Sequence, residues 1–405
     1  MKGKYYKPLW IFLITGSLLT CVEPYNPDLK DYQSLLVVEA LLTDEEASYH
    51  VRLSRTIESL NDPPEKVSGA TVTIKDNSGN TALFIETSDG LYKSDSTAFR
   101  GVPGRSYTLH ITAADGTEYE SEPCTMEPVS EIDSLYFDKD RITLDNGEVQ
   151  EGVRVYIDSK EPAGNQYFRW SYKEWWEFSI PIPKDYEYVD QNNIYKIPLA
   201  NITCWNNNVS EEILILSADA GKGGSLVKKP ILFIPSDKSD RLLVQYCVEV
   251  TQYSLSAREY EFWDHMIQIN DAGGDIFDKQ PFPIVSNISS LSRPEEKVLG
   301  YFQVSSVRKA REYLTRREVD LLDVDLYSYD CEVIYVGLGD PVTDYIPAPV
   351  TFDKIYDYFI SLNYTFVQPL YNERGYLSQL LFVKNVCADC TLTGSPDKPD
   401  FWINL

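Results

Sequence analysis

Between Ala70 and Tyr119 the chain reads Ala70-Thr71-Val72-Thr73-Ile74, Asn77-Ser78-Gly79, Thr81 to Glu86, Asp89-Gly90, Leu91-Tyr92, Val102-Pro103-Gly104, Tyr107-Thr108-Leu109-His110-Ile111 and Asp115-Gly116. Apolar and polar residues alternate within the runs, the two-residue period of a strand with one buried face. The Asx-Gly and Pro-Gly signals between them suit tight turns, because glycine accepts backbone angles other residues resist. Short strands at turn-spaced intervals, with no helical period among them, predict an antiparallel β-sandwich, immunoglobulin-like or transthyretin-like. His110 lies within one alternation and reads as a surface strand residue rather than a ligand.

Working towards the amino terminus, Leu35 to Leu42 (LLVVEALL) is an apolar, β-branched run that reads as a buried strand, and Tyr49 to Leu53 alternates as its partner. A sandwich domain over residues 33–123 follows. Residues 21–32, with Pro24 and Pro27, read as a tether. Before them, Lys2, Lys4 and Lys7 precede the apolar run Leu9 to Ile14, and Leu18-Leu19-Thr20-Cys21 closes the stretch. A basic start and an apolar core too short to span a bilayer predict an export signal over residues 1–20. The stretch resembles a bacterial lipoprotein signal, which would make Cys21 the lipidated first residue of the mature chain. Each buried acyl methylene contributes about 0.8 kcal/mol, so two or more chains anchor stably.

Working towards the carboxyl terminus, Pro123 to Val129 (PCTMEPV) reads as the domain linker, and a second domain over residues 130–405 is expected. It is β-rich, with two or three helices. Asn146-Gly147 predicts a hairpin turn, preferred to a calcium loop around Asp138, Asp140 and Asp145, which lack alternating oxygen ligands. Tyr167 to Phe178 is an aromatic strand that directs Phe168, Trp170, Tyr172, Trp176 and Phe178 to one face and Trp175 to the other. Trp175, with Tyr186 and Tyr188 of the following loop, is the candidate binding surface. A first helix starts at the capping box Ser256-Ala-Arg-Glu259, carries Tyr260, Trp263 and Ile267 as its stripe, exposes His265 and ends at Gly273-Gly274. A second is expected over Val307 to Glu318, presenting Arg308, Lys309, Arg311, Arg316 and Arg317. Phe352 to Phe359 predicts a third.

Of seven cysteines, assigning Cys21 to lipid leaves Cys124, Cys204, Cys247, Cys331, Cys387 and Cys390 as disulfide candidates. Six allow fifteen pairings, so connectivity stays open. Cys387-Ala-Asp-Cys390 could also be half a zinc knuckle or a redox motif, but no second Cys pair, His pair or βαβ pattern completes either.

A net charge of −25 argues against nucleic acid and anionic membrane surfaces, which need clustered Lys and Arg. Three histidines leave few bases or metal ligands, and the chain has no H-E-x-x-H, G-x-S-x-G, phosphate loop or dinucleotide fingerprint. No metal, cofactor or catalytic residue is therefore expected. Two other readings stand beside a binding role: a carboxylate-dependent hydrolase of glycan or peptide, and a structural or adhesive surface protein.

The segments LLVVEALLTD, SGATVTIKDNSGN, FRGVPGRSYTLHI, PVSEIDSLYF, VTQYSLSAREYEFW, GGDIFDKQPFPIVSNI, VLGYFQVSSV, CADC and KPDFW together resemble a family of Bacteroidota lipoproteins known only as a domain of unknown function (number four-two-four-nine). The resemblance implies an outer-membrane lipoprotein, often encoded beside a TonB-dependent transporter, with no catalytic residues to carry over. The expectation is a lipid-anchored envelope binding or accessory protein that partners an outer-membrane β-barrel transporter and its cargo, a glycan or peptide, without catalysis. Whether it faces the periplasm or the surface is open.

Overall fold

The structure is a computed structural model describing residues 34–57, 63–94, 99–160, 167–218, 226–237, 239–272, 286–319 and 330–405. Cys21, the tether and Gly273-Gly274 lie outside the described residues.

The protein is mainly β. Its first module contains β1 (Leu36–Thr43), β2 (His50–Arg55), β3 (Thr71–Asp76), β4 (Thr81–Ser88), β5 (Leu91–Lys93), β6 (Ser106–Thr112), β7 (Glu118–Ser121) and β8 (Cys124–Thr125). The predicted alternation holds: Val72, Ile74, Ala82, Phe84, Leu109 and Ile111 are buried, while Leu83 and Ile85 between them face outward. β4 pairs with β3 through Thr81–Phe84 and with β5 beyond, so one continuous ribbon turns at β4 and both halves bury residues in a shared core. Gly90 makes the β4–β5 turn at φ 68°, where a Cβ would stand 2.5 Å from the Leu53 carbonyl oxygen. Buried tyrosines keep hydroxyl partners: Tyr92 donates to the Val67 carbonyl at 2.8 Å, and Tyr107 accepts from the Val102 amide at 2.7 Å.

The second region continues with β9 (Ile132–Thr143), β10 (Val149–Ser159), β11 (Tyr167–Ser179), β12 (Tyr186–Asp190), β13 (Asn193–Lys196), β14 (Thr203–Val209), β15 (Leu214–Ser217), β16 (Leu226–Pro235), β17 (Gln245–Leu255) and helix α1 (Ala257–Ala272). Then come β18 (Ile288–Ser290), β19 (Val298–Ser305), β20 (Val307–Thr315), the one-turn α2 (Arg316–Val319), β21 (Ile334–Gly337), α3 (Phe352–Ser361), β22 (Tyr364–Tyr371) and β23 (Leu377–Lys384). No described helix is long and apolar enough to cross a membrane.

The expected boundary between residues 33–123 and 130–405 does not hold. β18 pairs with β7, and β19 runs parallel to β1 from Leu36 opposite Val298 to Thr43 opposite Ser305, so residues 288–305 complete the first module. The expected linker Pro123 to Val129 also belongs to it: β8 pairs with β6, Met126 is fully buried in the first core, and Glu127 bridges Ser305. A parallel neighbour must arrive through a long crossover, and local periodicity carries no sign of it.

The rest builds two further layers. β9 and β10 form the hairpin expected at Asn146-Gly147 and join β16, while β14, β11, β17 and β20 make a second sheet. Their inner faces share a core containing Val155, Ile157, Phe168, Trp170, Phe178, Tyr246 and Val250. Val307 to Thr315, expected as helix, is a strand antiparallel to β17, because its basic residues find acidic partners on neighbouring elements; only Arg316–Val319 is helical. On α1, the Glu259 amide donates to Ser256 Oγ at 3.2 Å, and the buried Glu259 carboxyl in turn accepts from the Ser256 backbone amide, so the expected capping box forms. His265, expected exposed, is half-buried. Finally β21, β23 and β22 form a small sheet covered by α3, whose Thr351 cap accepts from the Lys354 amide at 3.3 Å and whose Phe352, Ile355 and Phe359 are buried.

Candidate functional site

Four of the six candidate cysteines form two bridges, Cys204–Cys390 and Cys331–Cys387. Cys124 and Cys247, expected in a third, are free thiols, since Cys124 belongs to the first core and Cys247 lies on β17 between Trp175 and Tyr313. Burial pushes both thiols up to about 12, leaving them protonated and poor nucleophiles. The Cys387-Ala-Asp-Cys390 motif thus sends one bond to β14 and the other to the segment before β21. The short stretch Asn385–Cys390 is pinned to two separate parts of the fold.

That stretch walls a cavity of about 360 Å³. α3 contributes Tyr356, β22 contributes Tyr364 and Phe366, and Asn201 and Lys184 also line it. The Tyr356 ring stacks on Tyr188 at 4.5 Å and 15°, with Phe366 edge-on to Tyr188 at 5.6 Å. Polar groups are held as firmly. Thr365 Oγ1 donates to Asn385 Oδ1 at 2.7 Å, and Lys184 Nζ meets Glu187 Oε2 at 2.6 Å. Burial raises the Asp389 carboxyl, but hydrogen bonds from Thr391 and Asn201 prevail and hold it below the ordinary range, so it is ionised at neutral pH. Asn201 adopts φ 52°, a left-handed angle asparagine tolerates, and its carbonyl accepts the Cys390 amide at 3.1 Å.

The residues expected to form one binding surface are dispersed. Tyr188 is 4% exposed and forms the underside of the cavity floor, its hydroxyl donating to Asp353 Oδ1 at 2.6 Å. Tyr186 is half-buried against the same core. Trp175 does point away from Trp176, but its ring meets Phe401 edge-to-face at 4.7 Å, and the Arg311 guanidinium lies 4.0 Å from the Phe401 ring centre. The carboxyl-terminal tail covers Trp175. Sequence reasoning missed Tyr356, Asn385, Asp389 and Asn201; the one available signal was the cysteine motif bracketing Asp389.

Other charged groups are committed within the molecule. Glu174 is fully buried between Tyr172 and Trp176 and accepts from the Tyr246 hydroxyl at 2.6 Å and Asn208 at 2.9 Å, with Arg241 at 3.2 Å. Asp138 pairs with Lys228 and Asp140 with Arg154, and no metal-holding group of His, Cys, Asp and Glu occurs among the described residues. His110 Nδ1 meets Glu120 at 2.9 Å across the surface of β6 and β7. Arg308 reaches Asp44 at 3.4 Å and Glu131 at 2.8 Å, and Lys309 reaches Glu45 at 2.8 Å, so part of the basic cluster joins the two modules. Near this joint the Arg169 guanidinium lies between the rings of Tyr253 (4.1 Å) and Trp263 (4.6 Å). Burial pushes the adjoining Glu259 up to about 8, partly offset by Arg169 and by the Ser305 hydroxyl at 3.4 Å.

A mainly β chain with interlocked modules and a disulfide-pinned, aromatic-floored cavity defines a class of scaffold that presents a rigid recess on sheet and loop edges. Within that class, residues 22–311 match the family described as a domain of unknown function, DUF4249, and the chain belongs to that family. No curated protein matches it.

Proposed function

We propose that the protein is a non-catalytic binding or accessory lipoprotein of the cell envelope, anchored to the outer membrane through Cys21 and partnering a TonB-dependent β-barrel transporter and its cargo. The observation that carries the reading is the paired cystines around Asn385–Cys390, since such bonds persist outside the reducing cytosol. The export signal and terminal cysteine at residues 1–21 support the same placement. Affinity capture from detergent-solubilised outer membranes is the test. Co-purification of a β-barrel transporter is expected, together with a palmitate-analogue label lost in Cys21→Ser. An unlabelled protein recovered from the cytosol without such a partner would overturn the proposal.

A further inference from the structure

We propose that the cavity between α3, β22 and Asn385–Asp389 is a binding site for a neutral saccharide. This deepens the envelope-binding reading and rests on it. Three properties of the lining point to that ligand class. First, its charges are already committed: Lys184 is engaged by Glu187 at 2.6 Å, and the Asp389 carboxylate accepts from Thr391 at 2.7 Å and from Asn201. An anion meets no uncommitted cation there and faces the ionised Asp389, whereas an uncharged, hydroxyl-rich ligand can donate to that carboxylate without burying a charge of its own.

Second, aromatic surface and hydrogen-bonding groups occur together. Tyr356 is fixed from beneath by Tyr188 at 4.5 Å, and Phe366 is fully buried below. Beside these lie Asn201, Thr365, Asn385 and the ionised Asp389. A sugar ring has the matching duality, with C–H faces that cover aromatic carbon and equatorial hydroxyls that donate and accept at its rim. Third, the wall is rigid. Cys387 and Cys390 tie it to separate parts of the fold, and Asn385 and Asp389 are each held by a further hydrogen bond. Prealigned groups lose little freedom on binding, which a weakly apolar, strongly hydrated ligand needs to bind at all. A peptide adding itself as a strand is the poorer fit, because Tyr188 of the β12–β13 hairpin packs on Phe366 along the bordering strand.

The test is calorimetric titration of the full chain in detergent with maltotriose, cellotriose, xylotriose and chitotriose, and with Ala-Ala-Ala as the peptide comparison. At least one trisaccharide should bind saturably, and Tyr356→Ala should weaken it tenfold or more. Because Tyr356 also supports a core, Ala200→Trp at the exposed rim provides a second variant. It fills the recess from outside and should abolish binding while leaving the melting temperature unchanged. No saturable binding of any of the four sugars up to about 10 mM overturns the proposal. So does binding indifferent to both variants, or binding of the tripeptide alone. Capture of a β-barrel partner without sugar binding would leave the envelope role standing and remove only the saccharide site.

Discussion

The Asp44 carboxylate of the first module lies 3.4 Å from the Arg308 guanidinium of β20 and at the same time accepts the Val307 backbone amide at 2.7 Å. One side chain therefore satisfies both a charge and a main-chain donor where the two modules meet. Removing it strands the amide, which costs about 1–3 kcal/mol, whereas the partly exposed ion pair alone is worth less than about 1 kcal/mol. We expect Asp44→Ala to lower the urea midpoint clearly, and Asp44→Asn and Arg308→Ala to lower it much less. Equal effects from all three would place the energy in the ion pair instead.

Gly300 stands at φ 85° on β19, and a Cβ there would come within 2.0 Å of the Val38 carbonyl oxygen on β1. Gly300→Ala must both strain the backbone and push the parallel strands apart. Gly147→Ala carries the same backbone strain at φ 85° but meets nothing within 4 Å, so it should cost about 1 kcal/mol, and Gly300→Ala about 2 kcal/mol or more beyond that in chemical denaturation. Faster amide exchange across β1 and β19 would accompany the first substitution.

Glu259 gives the fold a pH dependence that reaches into the neutral range. Its carboxyl is raised from an ordinary 4.5 to about 8, so between those values the folded state keeps a proton the unfolded state has released. Stability consequently falls as pH rises across that window, by roughly 1.4 kcal/mol for each pH unit crossed, and levels off above it. Glu259→Gln, which keeps an acceptor for the Ser305 hydroxyl, should flatten the thermal-melting profile between pH 5 and 8 and be the more stable protein at the alkaline end. A variant with the wild-type slope would show that Glu259 is ionised in the fold.

The two disulfides close loops of 186 and 56 residues, and constrain the unfolded chain by about 5 and about 4 kcal/mol respectively in the loop-entropy view. Cys331→Ser/Cys387→Ser should lower stability by an amount of that order, while Cys124→Ser and Cys247→Ala leave the bridges intact. Peptide mapping of the non-reduced protein should recover Cys204 with Cys390 and Cys331 with Cys387. A Cys387–Cys390 peptide would refute the pinned wall.

Much of the fold could be read from local pattern. The alternation from Ala70 to Tyr119, the Asn146-Gly147 turn, the single-faced burial of Phe168, Trp170, Tyr172, Trp176 and Phe178, and the helix at Phe352 all express short-range periods that one element can satisfy alone. What failed depended on partners far away in the chain. Val307 to Thr315 became a strand because β17 and the acidic residues Asp44, Glu45 and Glu249 receive it there. Tyr188 went under the cavity rather than onto a surface because Tyr356 and Asp353 cover it.

By itself, then, the sequence determined the strand-rich class, the hairpins and the faces along which side chains are buried, since those follow from backbone geometry repeated over a few residues. Only the tertiary structure decided that β19 returns to β1, which cysteines bond, and that Tyr356, Asn201, Asn385 and Asp389 surround one recess. Such pairings are settled by the packing of segments that meet only after the chain has closed upon itself, and no period within any one segment records them.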